Sequence, residues 1–264
     1  CKISFFFIFA KKKSMVLSLE QVIQICNAKS VIGENLVNTI NLKETQIHHL
    51  LYDSRRLNFT DNTIFFAFKT ADNDGHKYIK ELYNKGIRFF ICQQIPDSNK
   101  FPNAVFLLVN NILDALQQIA KYKRENFKKE VVAITGSNGK TIIKEWVVQL
   151  AQEDKKICYS PRSYNSQIGV SLSLWQLNSS YDLGLFEAGI SKPNEMTRLQ
   201  EMIQPTIGIF TNIGSAHQIN FSSLEEKIEE KLKLFTSCHT LICPKDDVFL
   251  YNIVKQWCES REIK

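Results

Sequence analysis

Residues 135–141 read Thr-Gly-Ser-Asn-Gly-Lys-Thr and follow the apolar run EVVAIT. A strand that feeds a glycine loop and then a helix start turns backbone N–H groups toward one point at the positive end of the helix, where an anion is stabilised. In such a loop Gly136, Ser137, Asn138 and Gly139 form the cradle. Lys140 supplies a mobile cation for the β- and γ-phosphates, and Thr141 offers a hydroxyl to Mg²⁺. The usual phosphate-loop expression wants glycine six residues before the lysine, and Ile134 stands there. The Gly-Lys-Thr core in its strand–helix setting therefore carries the reading of nucleotide binding, with a structural turn as the alternative.

Three further residues fall at strand ends or on the elements that follow. Glu187 closes the run YDLGLFE. Beside a phosphate loop such an acid is placed to hold Mg²⁺; taken alone it reads as a solvated strand end. His217 follows TNIGSA, and a lone histidine is more often structural than a ligand. Lys231 carries more information. Ser223 and Glu226 spell the S-x-x-E signature of a helix start, and Leu224, Ile228 and Phe235 then recur on one face. Lys231 falls in the middle of that stripe, Lys227 at its edge and Lys233 away from it. A lysine on an apolar face must be neutralised, paired or chemically altered, because burying a bare ammonium is costly. The alternative is a lysine that snorkels to solvent.

The surrounding sequence supplies the elements that must position these groups. Between 15 and 108, short apolar runs (TIFFAFK, RFFICQ, AVFLLV) alternate with helical stretches such as DGHKYIKELYNKG, the pattern of a layered α/β unit. Ile112, Ala115, Leu116, Ile119 and Ala120 follow the spacing of a helix with one buried face. The charged stretch KYKRENFKKE then marks the best boundary. Beyond it, EVVAIT, YDLGLFEAG and TIGIFTNIG each end in a glycine-containing turn, as in a mostly parallel sheet, where functional groups gather at the carboxyl ends of strands. Ile143, Trp146, Val147, Leu150 and Ala151 predict the buried face of the helix after the phosphate loop.

Composition narrows the function classes. The chain has 264 residues, 44% of them hydrophobic and 23% charged, with a net charge of +6, which excludes disorder, collagen and coiled coil as descriptions of the whole. Four lysines lie in the first fourteen residues, and without them the basic and acidic counts are 29 and 27. No broad nucleic-acid footprint remains. Residues 3–10 (ISFFFIFA) are too few to span a membrane, and their larger charge cluster follows the apolar run instead of preceding it as in a signal peptide. Residues 1–14 therefore read as an upstream read-through or fragment edge, with a membrane-surface anchor as the alternative. Seven scattered cysteines without a C-x-x-C pair suit reduced, buried thiols better than a disulfide framework or a zinc site.

Taken together, TGSNGKT, YNSQIGV (164–170), FEAGISKPNEM (186–196), TNIGSAHQINFSSLEEKIEEKLKLF (211–235) and the earlier YDSRRL and DGHKYI resemble the Mur ligases. The EAGIS segment and the FSSL stretch are similar to the branch that adds D-alanyl-D-alanine, including the form fused to a downstream alanine racemase. The resemblance implies an α/β chain: an N-terminal UDP-substrate domain at 15–108, then a phosphate-loop-type, mostly parallel ATP-binding domain at 109–264. A third, C-terminal domain belongs to the family pattern, so the chain is expected to be a truncated product or fragment that stops inside its central domain.

The same resemblance implies roles by position. Asp53, Ser54 and Arg55, with Asp74, Gly75 and His76, match substrate-binding motifs, although Lys69-Thr70 stands where Lys-Gly is usual. Asn165 and Ser166 match a substrate-proximal segment in which a second Asn is commoner than Ser. Residues 136–141 match the ATP phosphate site. Thr141, Glu187 and His217 match metal-binding positions, and Lys231 matches a lysine that becomes carbamylated and bridges to metal. Lys140, His217 and Lys231 are the expected catalytic set. ATP and Mg²⁺ are the implied cofactors; UDP-N-acetylmuramoyl-tripeptide and D-alanyl-D-alanine are the implied partners. The setting is cytoplasmic, without nucleic acid or membrane insertion, and the chain monomeric unless fused to the racemase. Another ligase of the same superfamily, such as a folylpolyglutamate synthase, and a non-catalytic nucleotide-binding remnant are the competing readings.

Overall fold

The computed structural model describes residues 16–214 and 220–264. The apolar–basic segment 1–14 and His217, on which expectations were placed, lie outside the described residues. The chain enters through β1 (Leu17–Ser18) and α1 (Leu19–Ile25). The Ser18 hydroxyl accepts from the Gln21 N–H at 3.1 Å, and the Gln21 side chain accepts from the Ser18 N–H at 2.9 Å. This reciprocal box starts the helix.

The first sheet uses β2 (Lys29–Ile32), β4 (His49–Leu51), β5 (Thr63–Phe66), β6 (Phe89–Cys92) and β7 (Val105–Leu108), while the two-residue β3 (Gln46–Ile47) pairs antiparallel with β1. Its order is β2-β7-β6-β5-β4, with β2 antiparallel to β7 and the remaining pairs parallel. Every residue of β5 and β6 is buried, as continuous apolar runs require when both faces of a strand are covered. Between them lie a 3-10 turn, Gly75–Tyr78, and α2 (Ile79–Asn84). The helix α3 (Ile112–Glu125) follows. All five residues of its expected stripe are buried; Ile112 through Ile119 join the core of the first sheet and Ala120 that of the second. This helix is a shared wall.

The second sheet is wholly parallel. Its strands are β8 (Val131–Thr135), β9 (Ile157–Tyr159), β10 (Leu183–Glu187), β11 (Ile207–Phe210) and β12 (Thr240–Ile242), in the order β12-β11-β8-β10-β9. Between and after them come α4 (Lys140–Ala151), α5 (Gln167–Leu174), α6 (Glu195–Ile203), α7 (Leu224–Leu232) and α8 (Val248–Glu259). The chain leaves β8 for the β9 edge, returns to pair β10 with β8, then places β11 on the other side of β8. The strand order thus reverses at β8, which opens a crevice at its carboxyl end.

Two local expectations hold in part and are corrected in part. The helix α4 packs only part of the expected stripe: Ile143, Val147 and Ala151 are partly buried against the core of the second sheet, but Trp146 and Leu150 are 62% and 81% exposed, and the fully inward positions are Lys144 and Val148. The Lys144 ammonium donates to two backbone carbonyls and faces the buried Glu187 carboxylate, so these contacts fix the helix rotation and leave the larger apolar side chains outward. The helix α7 starts where Ser223 and Glu226 predict it, with Ser223 accepting from the Glu226 N–H at 3.1 Å, but the reciprocal bond differs: the Glu226 carboxylate reaches Ser222, whose N–H and hydroxyl both donate at 2.6 Å. Two donors on one residue outcompete the single N–H of the cap itself.

None of the described helices is long and apolar enough to cross a membrane. Cys26, Cys92, Cys158 and Cys238 are buried, and burial pushes each thiol up to about 12. Such thiols stay protonated and inert at neutral pH.

Candidate functional site

The glycine loop sits where β8 emerges between β10 and β11. Gly136 has φ of +147°, and a Cβ there would lie 2.0 Å from the Thr211 hydroxyl oxygen, so only glycine fits. The loop is then braced by the segment after β11. The Ser137 N–H donates to the Asn212 carbonyl at 3.0 Å, the Asn138 N–H donates to the Asn212 side chain at 2.9 Å, and the Thr211 hydroxyl donates to the Asn138 carbonyl at 2.6 Å. Gly139 caps α4 with φ of +79°, provides no side-chain cap bond, and has open space where a Cβ would stand. Among the described residues, then, the loop leaves open space beside Gly139 at the N-terminus of a twelve-residue helix, where orphan N–H groups favour an anion.

Four candidate residues converge on this loop. The Lys140 ammonium folds back onto the Gly136 and Ser137 carbonyls at 2.7 and 3.3 Å. Burial lowers its pKa, and the Glu187 charge partly offsets that. The Thr141 hydroxyl donates to Glu187 Oε2 at 2.9 Å and lies 3.5 Å from the Ser163 hydroxyl. Glu187 is fully buried, and its Oε1 accepts no hydrogen bond, though the Lys144 ammonium lies 3.0 Å away. The Lys231 ammonium, 3% exposed as a residue, reaches the Gly136 carbonyl at 3.4 Å. Burial, reinforced by the nearby charges of Lys140 and Lys227, lowers its pKa to about 7. Lys227 is also buried and donates to the Gly214 carbonyl. Three lysines around one loop repel each other, and an anion bound in the cradle would relieve that repulsion.

Residues of the first sheet form a separate cluster. Asp53 caps a 3-10 turn at Ser54–Arg56 by accepting from the Arg55 N–H at 3.1 Å, and it takes the Arg55 guanidinium through two bonds at 2.9 and 2.8 Å. Those bonds hold the Asp53 carboxyl below its usual range. Asp74 repeats the device: it accepts from the His76 N–H at 3.0 Å and faces His76 Nδ1 at 2.7 Å. His76 Nε2 accepts from the Gln93 N–H at 3.2 Å, which places the ring proton on Nδ1, toward Asp74. Gly75 is packed so that a Cβ would meet Ala67 and Phe68 backbone at 2.7 Å. Asp74 and His76 line a cleft of about 430 Å³ with Lys69, Gln93 and Asn110, at the carboxyl ends of β5, β6 and β7. A larger cleft of about 580 Å³, lined by His48, His49 and Phe59, opens at the opposite strand ends and touches none of the expected residues.

The two clusters are joined. The Arg56 guanidinium donates to the Tyr52 hydroxyl at 3.0 Å and to the Tyr164 hydroxyl at 2.6 Å, tying the Asp53 turn to the loop before α5. In that loop the Asn165 carbonyl accepts from the Gly189 N–H at 2.9 Å, and the Ser166 hydroxyl caps α5 by accepting from Gly169 N–H at 3.3 Å. Ser166 therefore has a structural task as the cap of α5.

Sequence reasoning passed over Lys144, Tyr52, Arg56 and Tyr164. Lys144 had a signal: with Lys140 and Val148 it recurs at i, i+4, i+8, the line along which α4 meets the sheet. The Arg56–Tyr164 contact spans 108 positions and had none.

Residues 134–263 match the family model described as the Mur ligase middle domain. A curated UDP-N-acetylmuramoyl-tripeptide–D-alanyl-D-alanine ligase from Rickettsia prowazekii is 32% identical over 234 residues, covering 86% of this chain and 48% of the relative. The chain spans about half the length of the curated relatives it matches. Among solved structures, MurF from Acinetobacter baumannii shares the fold with a TM-score of 0.82 at 24% identity, over 95% of this chain and 53% of that one. The MurF ligase from Thermotoga maritima in complex with ADP aligns with a TM-score of 0.70 at 26% identity, over 81% of this chain and 50% of that one.

Proposed function

The chain is a Mur ligase homologue that carries the family's middle domain, and from that premise we propose that it holds ATP and a UDP-muramoyl tripeptide for ATP-driven amide formation with D-alanyl-D-alanine. The observation that carries this reading is the convergence of Lys140, Thr141, Glu187 and Lys231 on a glycine loop at the reversal point of the second sheet. In the reaction the terminal carboxylate of the tripeptide attacks the γ-phosphoryl group, ADP leaves, and an acyl phosphate forms. The free amine of D-alanyl-D-alanine then attacks the acyl carbon, and inorganic phosphate leaves as the amide bond closes.

The side chains meet these demands by position and charge. Loop N–H groups and the Lys140 ammonium, released from its loop carbonyls, offset charge on the transferring phosphoryl group. Two anionic reactants are held together at the joined clusters, where the Arg56–Tyr164 contact brings the Asp53 turn against the second sheet. Thr141 and Glu187 present hard oxygen donors within 2.9 Å of each other, with Glu187 Oε1 accepting no hydrogen bond. This set fits Mg²⁺, which takes one or two protein oxygens beside substrate phosphates and when bound would neutralise phosphate charge. Lys231, with a pKa of about 7, is half neutral at neutral pH, the form whose nitrogen lone pair can attack CO₂, losing a proton to give the anionic carbamate. Residues 15–108 then serve as the UDP-substrate domain and 109–264 as the central ligase domain.

Titration of the chain with ADP and with UDP-muramoyl tripeptide tests the reading. Both ligands bind in the expected result, and Lys140→Met removes only the first. A folded chain that binds neither overturns it. Mass spectrometry of a mixture with ATP, Mg²⁺, bicarbonate, tripeptide and D-alanyl-D-alanine then asks whether this chain alone makes pentapeptide.

A further inference from the structure

Resting on that reading of the loop, we propose that Lys144 is a positioning residue that sets Glu187 toward the Mg²⁺ site and locks the 160–166 loop in register with the nucleotide cradle. Lys144 lies one turn after Lys140 on α4, and its side chain is fully buried. Its ammonium donates to the Ser160 carbonyl at 2.7 Å and to the Arg162 carbonyl at 2.6 Å. It also lies 3.0 Å from Glu187 Oε1 and 3.0 Å from Glu145 Oε1.

Two features separate this arrangement from ordinary core packing. An ammonium has three N–H donors, and two are committed to loop carbonyls. The third faces two carboxylates, Glu145 Oε1 and Glu187 Oε1, each at 3.0 Å, and Glu187 Oε1 meets the positive charge without accepting a hydrogen bond, while Oε2 is turned to the Thr141 hydroxyl. The carboxylate is oriented by charge on one side and leaves lone pairs uncommitted. In addition, Arg162 has φ of +51°, a region that non-glycine residues seldom enter. The carbonyl of this strained residue is one that Lys144 holds. The next residues are Ser163, whose hydroxyl lies 3.5 Å from that of Thr141, and Tyr164, which accepts from Arg56. One buried ammonium thus joins the phosphate-loop helix, the acid at the end of β10 and the loop that reaches the first sheet.

The test uses the 264-residue chain. ADP affinity is measured by calorimetry in saturating Mg²⁺ and in EDTA, and amide hydrogen exchange of residues 163–165 is measured without ligand. Lys144→Met lowers the affinity gained from Mg²⁺ by about tenfold or more, the scale of losing the partner that orients a metal ligand, with affinity in EDTA within about threefold of the parent. Exchange at 163–165 rises. Adding Lys144→Met to Glu187→Gln costs no further Mg²⁺-dependent affinity, because both act through one carboxylate.

Should the Met variant fail to fold, Lys144→Gln can still donate to one loop carbonyl but lacks the charge facing Glu187; loss of the Mg²⁺ gain in that variant supports the proposal. A folded variant that keeps the full Mg²⁺ gain overturns it, as does additivity with Glu187→Gln. Parent chain that binds no ADP defeats the proposed function instead; the Lys144 assignment then stands or falls on whether exchange at 163–165 rises.

Discussion

The two five-stranded sheets carry their candidate ligand groups in opposite ways. On the first, Asp53 and Asp74 pair with residues two to five positions away and keep their charged groups near solvent. On the second, Lys140, Lys144, Glu187 and Lys231 come from three distant segments and are largely withdrawn from water. In the proposed division of labour, a solvated, locally folded turn is enough for a large polar substrate. Handling phosphoryl charge calls for desolvated groups, whose electrostatic effect is stronger where water is excluded. The second arrangement is therefore coupled more tightly to the stability of its sheet than the first.

Perturbing each side separately should expose this difference. The largest effect is expected from Lys140→Met, which lowers ADP affinity by about a hundredfold or more, measured by calorimetry; an unchanged affinity would separate the loop from nucleotide binding. Gly136→Ala follows, since its Cβ would strike the Thr211 hydroxyl; about 2–3 kcal/mol of stability is lost in urea unfolding.

Lys231 gives a pH signature. Its folded pKa of about 7 lies below the ordinary 10.5, so between those values the unfolded chain binds a proton that the folded chain does not. Stability therefore rises with pH across that window and levels off below about 7. Lys231→Met removes about 2 kcal/mol of the rise between about pH 7 and pH 9. A residual slope remains from Lys123, lowered to about 8 by burial.

On the first sheet, Asp74→Ala costs about 1 kcal/mol through its lost cap and leaves ADP affinity unchanged; a matching loss of nucleotide binding would mean that the two clusters are one coupled site. Smallest of all, Leu150→Glu on the exposed side of α4 shifts the urea midpoint by less than about 0.5 kcal/mol, whereas a core stripe at that position would cost several times more.

The sequence alone carried what depends on neighbours in the chain. The alternation of apolar runs and helical stretches, the five-residue stripe of α3, the glycine loop before α4 and the placement of Lys231 on a buried face all follow from local periodicity, and the structure has them. The stripe of α4 held for Ile143, Val147 and Ala151 and failed for Trp146 and Leu150, because periodicity ranks side chains by hydrophobicity alone. Here a buried lysine, fixed by Glu187 and two loop carbonyls, chose the helix rotation.

Tertiary structure decided the rest: the strand order that sets β8 between β10 and β11, the Arg56–Tyr164 contact between sheets, and the meeting of Thr141 with Glu187. These are pairings between residues 46 to 108 positions apart. Nothing in a residue's near neighbours specifies such partners. They are selected when the sheets pack, by the requirement that each buried charge meet an opposite charge or a hydrogen-bonding group.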